Sequence, residues 1–262
     1  MTDYGFVVVH IPHASLLIPE KFRSGILLED RTLLKELNFM TDAFCDELYE
    51  TPEFKNRVVA EYSRFVCDVE RFRDDSREPN AKRGWGLMYT KTSHGKLLRH
   101  YDQTLRDTIL KEIYDPHHKR LTEAVETALS KYGHCLIIDG HSFNSKMIVK
   151  FDNLFSFPDF DIGTDDYHTP KQLASALSDK VKQLGYKPRF NSPFAGAITP
   201  MKYYQKNKNV RSIMIETNRR LYMNETTGEK SAGFAKTKEI CRQLMYLAAD
   251  VALECRRNDY GQ

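Results

Sequence analysis

The sequence predicts an α/β fold in which a mostly parallel sheet is covered by helices on both faces. Three observations carry this. Four short apolar runs, 6–9, 58–61, 135–138 and 212–216, have the β-branched content and the polar or Gly/Pro-containing flanks of buried strands. Longer segments with the apolar rhythm of amphipathic helices lie between them. Strands that alternate with helices pair mostly in parallel, with the helices packed on the two faces of the sheet. The chain of 262 residues shows no internal repeat and no linker long enough to divide it, so a single catalytic domain is expected over 1–262.

Taken in order, the run 6–9 gives the first strand. Residues 30–50 carry apolar side chains at Leu33, Leu34, Leu37, Phe44, Leu48 and Tyr49, which predicts one long helix. The run 58–61 gives the second strand, and 65–69 and 147–151 are weaker strand candidates. Helices are expected over 96–113 and 116–132, followed by the strand 135–138. Thr169 then Pro170 reads as a helix start, with Thr169 as N-cap and Pro170 in the first turn, and Gly185 ends that helix after Leu184. The strand 212–216 and a final helix over 232–256 complete the chain. The stretches 73–86, 153–169 and 190–208 are rich in Gly, Pro, Asn or Asp and are expected as loops, long enough to carry function.

Composition excludes several classes. With 41% hydrophobic and 29% charged residues the chain is globular. A net charge of +3 gives little long-range field and does not suggest a nucleic-acid partner. The basic, aromatic stretch 202–211 reads as a solvated loop. The five cysteines (Cys45, Cys67, Cys135, Cys241, Cys255) are odd in number and lack a C-x-x-C spacing. That argues against a disulfide framework or a zinc ribbon and suits a reducing compartment. No signal-peptide pattern opens the chain, and no stretch approaches the roughly 20 apolar residues of a spanning helix. A cytoplasmic protein without a membrane partner is expected, and its oligomeric state is not legible.

Three expected strands end in residues that carry chemistry. His10-Ile-Pro-His13 follows the first, and ligands of open parallel sheets bind beyond the carboxyl ends of strands. Asp139-Gly-His141 follows the third; Asp139 can orient a neighbouring histidine, although Asp-Gly is also a common turn pair. Glu216-Thr-Asn218-Arg219 ends the fourth, and an acid at a buried strand end must be paired or ligate something. Two histidines with a carboxylate ligand and an open position suit catalytic zinc, and a further carboxylate suits a general base. The third ligand stays open between Asp42, within the first helix, and Glu20, which a helix start would also explain. The segment 63–71 alternates as a strand does, which puts Arg64, Asp68 and Glu70 on one face. Its arginines suit a substrate carboxylate or a self-contained ion-pair patch.

Seven blocks then follow in order. They are His10-Ile-Pro-His-Ala-Ser15, Thr41-Asp42 with Asp46-Glu-Leu-Tyr49, Ser63-Arg-Phe-Val-Cys-Asp-Val-Glu-Arg71, Tyr114-Asp-Pro-His-His118, Asp139-Gly-His-Ser142, Asn191-Ser-Pro-Phe-Ala-Gly196 and Ile215-Glu-Thr-Asn-Arg-Arg-Leu-Tyr-Met-Asn-Glu225. Their ordered set resembles the N-formylglutamate amidohydrolases over most of the chain. The resemblance implies a fold related to zinc carboxypeptidases, a mixed sheet between helices with one zinc per chain. It also implies cleavage of N-formyl-L-glutamate to formate and L-glutamate, as in histidine degradation. Ser15, Met40, Glu70, Ala197 and Lys202 depart from the family pattern, Glu70 standing where an Asn precedes the arginine. These departures bear on the exact acyl-amino-acid substrate more than on the chemistry.

The expected zinc ligands are therefore His13, Asp42 and His141, with another divalent metal as an alternative. Glu216 is expected to take a proton from the attacking water and hand it to the leaving amine. Arg64, Arg71, Asn218 and Arg219 are expected to meet substrate carboxylates, and the loop from Asn191 to Gly196 to close over the site. Two other readings stand beside this one: a zinc peptidase or amidase acting on another N-acyl amino acid or peptide, and a metal-free binding protein of the same fold.

Overall fold

The computed structural model describes residues 3–146 and 157–259. Six strands form one sheet: β1 (Val7–Ile11), β2 (Asn56–Val59), β3 (Cys135–Phe143), β4 (Phe160–Gly163), β5 (Pro188–Phe190) and β6 (Val210–Asn218). Their spatial order is β2-β1-β3-β6-β4-β5, and every neighbouring pair is parallel except β4 with β6. The α-helices are α1 (Glu20–Arg23), α2 (Asp30–Met40), α3 (Cys45–Leu48), α4 (Gln103–Ile109), α5 (Asp115–Tyr132), α6 (Lys171–Gln183) and α7 (Phe234–Asp259). This is the mixed, mostly parallel α/β sheet that the alternation predicts.

The two faces of the sheet explain where the site lies. On one face Val7, Val9, Leu136, Ile138, Ile213 and Ile215 pack against apolar side chains of α3, α6 and α7. On the other, Val8, Ile137 and Val210 pack under Leu121, Val125 and Ala128 of α5. Each such side chain, fully buried, contributes roughly 1.5–3 kcal/mol. Further along the second face the alternating positions turn polar. They become His10 on β1, Asp139 and His141 on β3, Glu216 on β6 and Asp161 on β4, and the register sets these side by side. Gly140 lies on the opposite face, where a Cβ would come within 2.6 Å of the Tyr49 ring, so the strand passes there only without a side chain.

The structure departs from the sequence reading in several places. The helix expected over 30–50 breaks after Met40: Thr41 is extended, and Phe44 adopts a left-handed φ of 66° before α3. Tertiary bonds cause the break, because Asp42 N donates to His13 O at 2.9 Å and the Asp42 carboxylate accepts from Ser142 N at 3.2 Å. Residues 65–69 are not a strand, since Val66 N and Cys67 N both turn back to Ser63 O. The candidate 147–151 lies outside the described residues. Helix α4 starts at Gln103, with Asp102 accepting from Leu105 N, and a π-helical turn (Leu110–Tyr114) joins it to α5. That turn takes up Pro116, which has no N–H to donate. Thr169 does not cap α6: its hydroxyl donates to Ser212 O, and the cap position falls on Pro170. β4 sits in the stretch 153–169 read as a loop, and β5 lies between the end of α6 and the stretch 190–208, which it meets at Phe190. The strands β3 and β6 run on to Phe143 and Asn218, so His141 stands inside its strand rather than beyond it, and Glu216 inside its strand rather than at the end.

Candidate active site

His13 leaves β1 two residues past its end and turns back over the polar half of the sheet. Its Nε2 lies 2.9 Å from Asp68 Oδ1, while its Nδ1 is buried without a hydrogen-bond partner, 3.7 Å from Asp42 Oδ2. His141 places Nδ1 3.1 Å from the same Asp42 oxygen, and its Nε2 lies 3.2 Å from both Glu70 Oε1 and Asp139 Oδ1. His13, Asp42 and His141 thus offer three ligand atoms within 4.8 Å of one another. Each imidazole turns one nitrogen inward and gives the other to a carboxylate, the arrangement that orients metal-bound histidines. Glu20, the alternative ligand, is exposed at the start of α1, away from this group.

The charges are tightly paired. Burial pushes the Asp42 carboxyl up, but the His13 and His141 imidazoles beside it and the Arg219 charge outweigh it and hold it well below the usual range. For His141 burial disfavours the charged form, yet Glu70 and Asp139 beside it raise its pKa well above that of free imidazole. Asp68 is held low against its burial by Arg71, His13 and Arg64.

Glu216 is 5% exposed and its Oε2 has no hydrogen-bond partner. Burial above all, with Asp42 and Asp161 nearby, raises its pKa well above that of an ordinary carboxyl. Asp161 stands opposite it on β4 and accepts from Ser192 N at 3.1 Å and Phe194 N at 2.9 Å, tying the 191–196 loop to the site. Burial pushes its pKa up to about 6. The sequence reading missed Asp161; its one signal is the alternation of Phe160 and Ile162 around it. Tyr89, which donates to Asp68 Oδ2 at 2.6 Å, gave no signal.

The expected substrate contacts divide. Arg219 is buried and fully engaged: it donates to Asp42 Oδ1 at 2.8 Å, Ser142 Oγ at 3.1 Å and Phe39 O at 2.7 Å. Asn218 is also buried, donating to Pro158 O at 3.0 Å and accepting from Arg220 N at 3.2 Å. Both side chains are thus taken up within the protein, Arg219 bracing Asp42 and Asn218 capping the turn after β6. Arg64 is largely spent on Asp68 at 2.8 Å and Met40 O at 3.1 Å. Arg71 rests its guanidinium against Asp68 and Tyr89 at 3.4 and 3.5 Å and keeps 21% of its side chain exposed. Asn191 is exposed and ties its loop to the exit of β4, with Oδ1 accepting from Thr164 N and Nδ2 donating to Thr164 Oγ1, both at 2.8 Å. Gly196, at φ 96°, brings its carbonyl onto Gly163, where a Cβ would collide with it.

A mixed α/β sheet that gathers two histidines and an aspartate beside a buried glutamate is the architecture of a hydrolase. A family model for N-formylglutamate amidohydrolase matches residues 6–223. The chain belongs to that family and is an enzyme of this hydrolase type. It is 28% identical over 230 residues to the N-formylglutamate deformylase of Pseudomonas putida, a match covering 84% of this chain and 82% of the relative. The corresponding figure for the Pseudomonas aeruginosa deformylase is 25% over 229 residues, with the same coverage. Among solved structures, the N-formylglutamate amidohydrolase of Ralstonia eutropha JMP134 superposes with a TM-score of 0.81 at 22% identity, covering 97% of this chain and 95% of that one. A gene product of Agrobacterium tumefaciens gives 0.66 at 18% identity, over 94% and 92% of the two chains. At these identities the structural likenesses show the fold. No helix among the described residues is long and apolar enough to cross a membrane.

Proposed function

We propose that the chain is a metal-dependent deformylase that hydrolyses N-formyl-L-glutamate to formate and L-glutamate. The observation that carries the metal is the bare, buried Nδ1 of His13, turned toward Asp42 Oδ2 with no partner of its own. Two imidazole nitrogens and a carboxylate oxygen form a donor set that fits zinc, and His13, Asp42 and His141 would hold it. A divalent ion there supplies Lewis acidity toward water and the formyl carbonyl, and its charge favours the ionised form of Glu216.

The protein's own groups do the rest. Glu216 accepts the proton of the attacking water at Oε2 and returns it to the amide nitrogen as the C–N bond breaks. The second water proton passes from the nascent formic acid to the amine, so formate leaves as the anion and glutamate with its amino group as the ammonium. Arg71, held flat by Asp68 and Tyr89, receives a substrate carboxylate, with Arg64 adding charge behind it. The 191–196 loop, pinned to Asp161, limits the entry of bulk water. Family membership and the names of the relatives support the formyl-glutamate substrate, and the same grounds suggest a cytoplasmic enzyme of histidine degradation. One observation favours a second reading, an amidase for a different N-acyl amino acid: Glu70 is a part-exposed carboxylate, 18% accessible, beside His141.

Formate release from N-formyl-L-glutamate and from N-formyl derivatives of neutral amino acids separates the two. The first reading expects kcat/KM to be highest for the glutamate derivative. A higher value for a neutral derivative supports the second.

A further inference from the structure

The site's histidines are joined to a second buried histidine pair that the chemistry above does not use. His10 Nδ1 lies 2.8 Å from Asp139 Oδ1, and His10 Nε2 lies 2.9 Å from His117 Nε2 on α5. His117 Nδ1 lies 3.5 Å from Arg120 Nη2, at a cavity of about 280 Å³ that both residues line. His10 and Asp139 are almost completely buried, so water is not at hand to replace the bond between them.

From this array we propose that His10 and His117 are positioning residues, which fix through Asp139 the tautomer and orientation of His141. The inference rests on the metal reading of His13, Asp42 and His141. The order of donors follows from one end. A guanidinium only donates, so His117 Nδ1 facing Arg120 is the acceptor. Burial first, then the neighbouring charges of His10, His118 and Arg120, pushes the His117 pKa down to about 2, so the ring is neutral and its one proton sits on Nε2. That proton points at His10 Nε2, which must accept it, and this leaves His10 a proton on Nδ1 for Asp139 Oδ1. Asp139 Oδ2 takes Ile198 N at 3.1 Å, so the carboxylate is clamped at both oxygens. Its Oδ1 also faces Nε2 of His141 at 3.2 Å, and that nitrogen lies 3.2 Å from Glu70 Oε1 as well, so Nε2 carries a proton between two carboxylates and the nitrogen of His141 turned to Asp42 is Nδ1. Register assists, because His10 and Asp139 are direct partners on β1 and β3. Reversing one donor along the chain sets two protons, or two lone pairs, against each other at the next link.

His10, Glu70 and Asp139 also offer ligand atoms within 4.8 Å of one another, a second way to use the same residues. The contacts argue for the positioning role, since both His10 nitrogens already have partners, Asp139 Oδ1 at 2.8 Å and His117 Nε2 at 2.9 Å, whereas His13 keeps a bare Nδ1.

The test compares His117→Gln, which keeps an N–H at the ε position, with His117→Leu, which does not. Zinc affinity is read by competition with a chromophoric chelator on the full chain. The Leu variant is expected to bind zinc roughly 10- to 100-fold more weakly, the usual effect of losing an outer partner, and the Gln variant to stay near the parent. ¹⁵N-histidine NMR of the metal-free parent is the second readout, with protons expected on Nε2 of His117 and Nδ1 of His10. It does not depend on zinc or on the folding of a variant, so it decides the assignment even if the metal reading fails. A His10 proton on Nε2 overturns the proposal. Parent-like zinc affinity in a folded His117→Leu also does so, as does a second zinc per chain that His10→Ala removes.

Discussion

At the scale of single residues, one buried and one half-buried arginine, with one glutamate, show how alike side chains divide their labour. Arg219 and Arg71 both face aspartates, but only Arg71 has surface left for a ligand. Arg71→Ala is expected to raise KM for N-formyl-L-glutamate while the thermal midpoint stays near the parent value. Arg219→Met takes the nearest guanidinium from the buried Asp42 carboxylate, and is expected to cost up to about 3–5 kcal/mol, read as a lower thermal midpoint. If Arg71→Ala unfolds the chain and Arg219→Met only raises KM, the two roles are reversed. Glu216→Gln keeps the shape but cannot accept the water proton, so kcat is expected to fall roughly 100- to 10,000-fold with metal still bound. Near-parent kcat in that variant would make the Glu216 carboxyl structural. His13, Asp42, His141 and Glu216 were legible because each is a ligand or base type at or near a strand end or in a family block. What Arg219 touches was not, since its partners lie 77 to 180 residues away in sequence.

At the scale of elements, the sheet's centre could be read and its far edge could not. The strands β1, β3 and β6 are continuous apolar runs with helices on both faces, and such runs stand out. β4 and β5 are four and three residues long, carry Asp, Gly and Pro, and merge with their loops. The break between α2 and α3 was hidden because residues 41–44 keep a helical rhythm, while bonds to His13, Ser142 and Arg219 pull Asp42 out of it. Asp161 on β4 gives that edge a pH signature. Its pKa is about 6 in the fold, against roughly 3.9 for an unfolded aspartate. Between those values the folded chain holds more protons than the unfolded one. The contribution of Asp161 to stability is therefore full below about pH 4 and is lost as pH rises through about 6. Asp161→Asn removes that loss. Its unfolding free energy, relative to the parent, is expected to improve from pH 4 to pH 7 and level off above. A difference that stays flat over this range in denaturant titrations would show that Asp161 titrates as an ordinary carboxyl.

At the scale of the whole molecule, one polar half-face of the sheet collects contributions from distant parts of the chain. His10 and His13 come from the first strand and its exit, Asp42 from the helix break, and Asp68, Glu70 and Arg71 from the turn after β2. Asp139 and His141 come from β3 and Glu216 from β6. The fold brings them together because β1, β3 and β6 are neighbours with their second halves in register, and because α5 packs its apolar side chains on the other half of that face, reaching the polar half through His117. The central claim is that this convergence holds a divalent ion on which deformylation depends. It is tested most directly by the rate of formate release from N-formyl-L-glutamate, with metal content measured on the same sample. The protein is assayed as purified, after chelation, and after zinc is restored. We expect close to one ion per chain at full rate, loss of formate release with the ion, and recovery on its return. An unchanged rate in protein shown to be free of metal would contradict the claim.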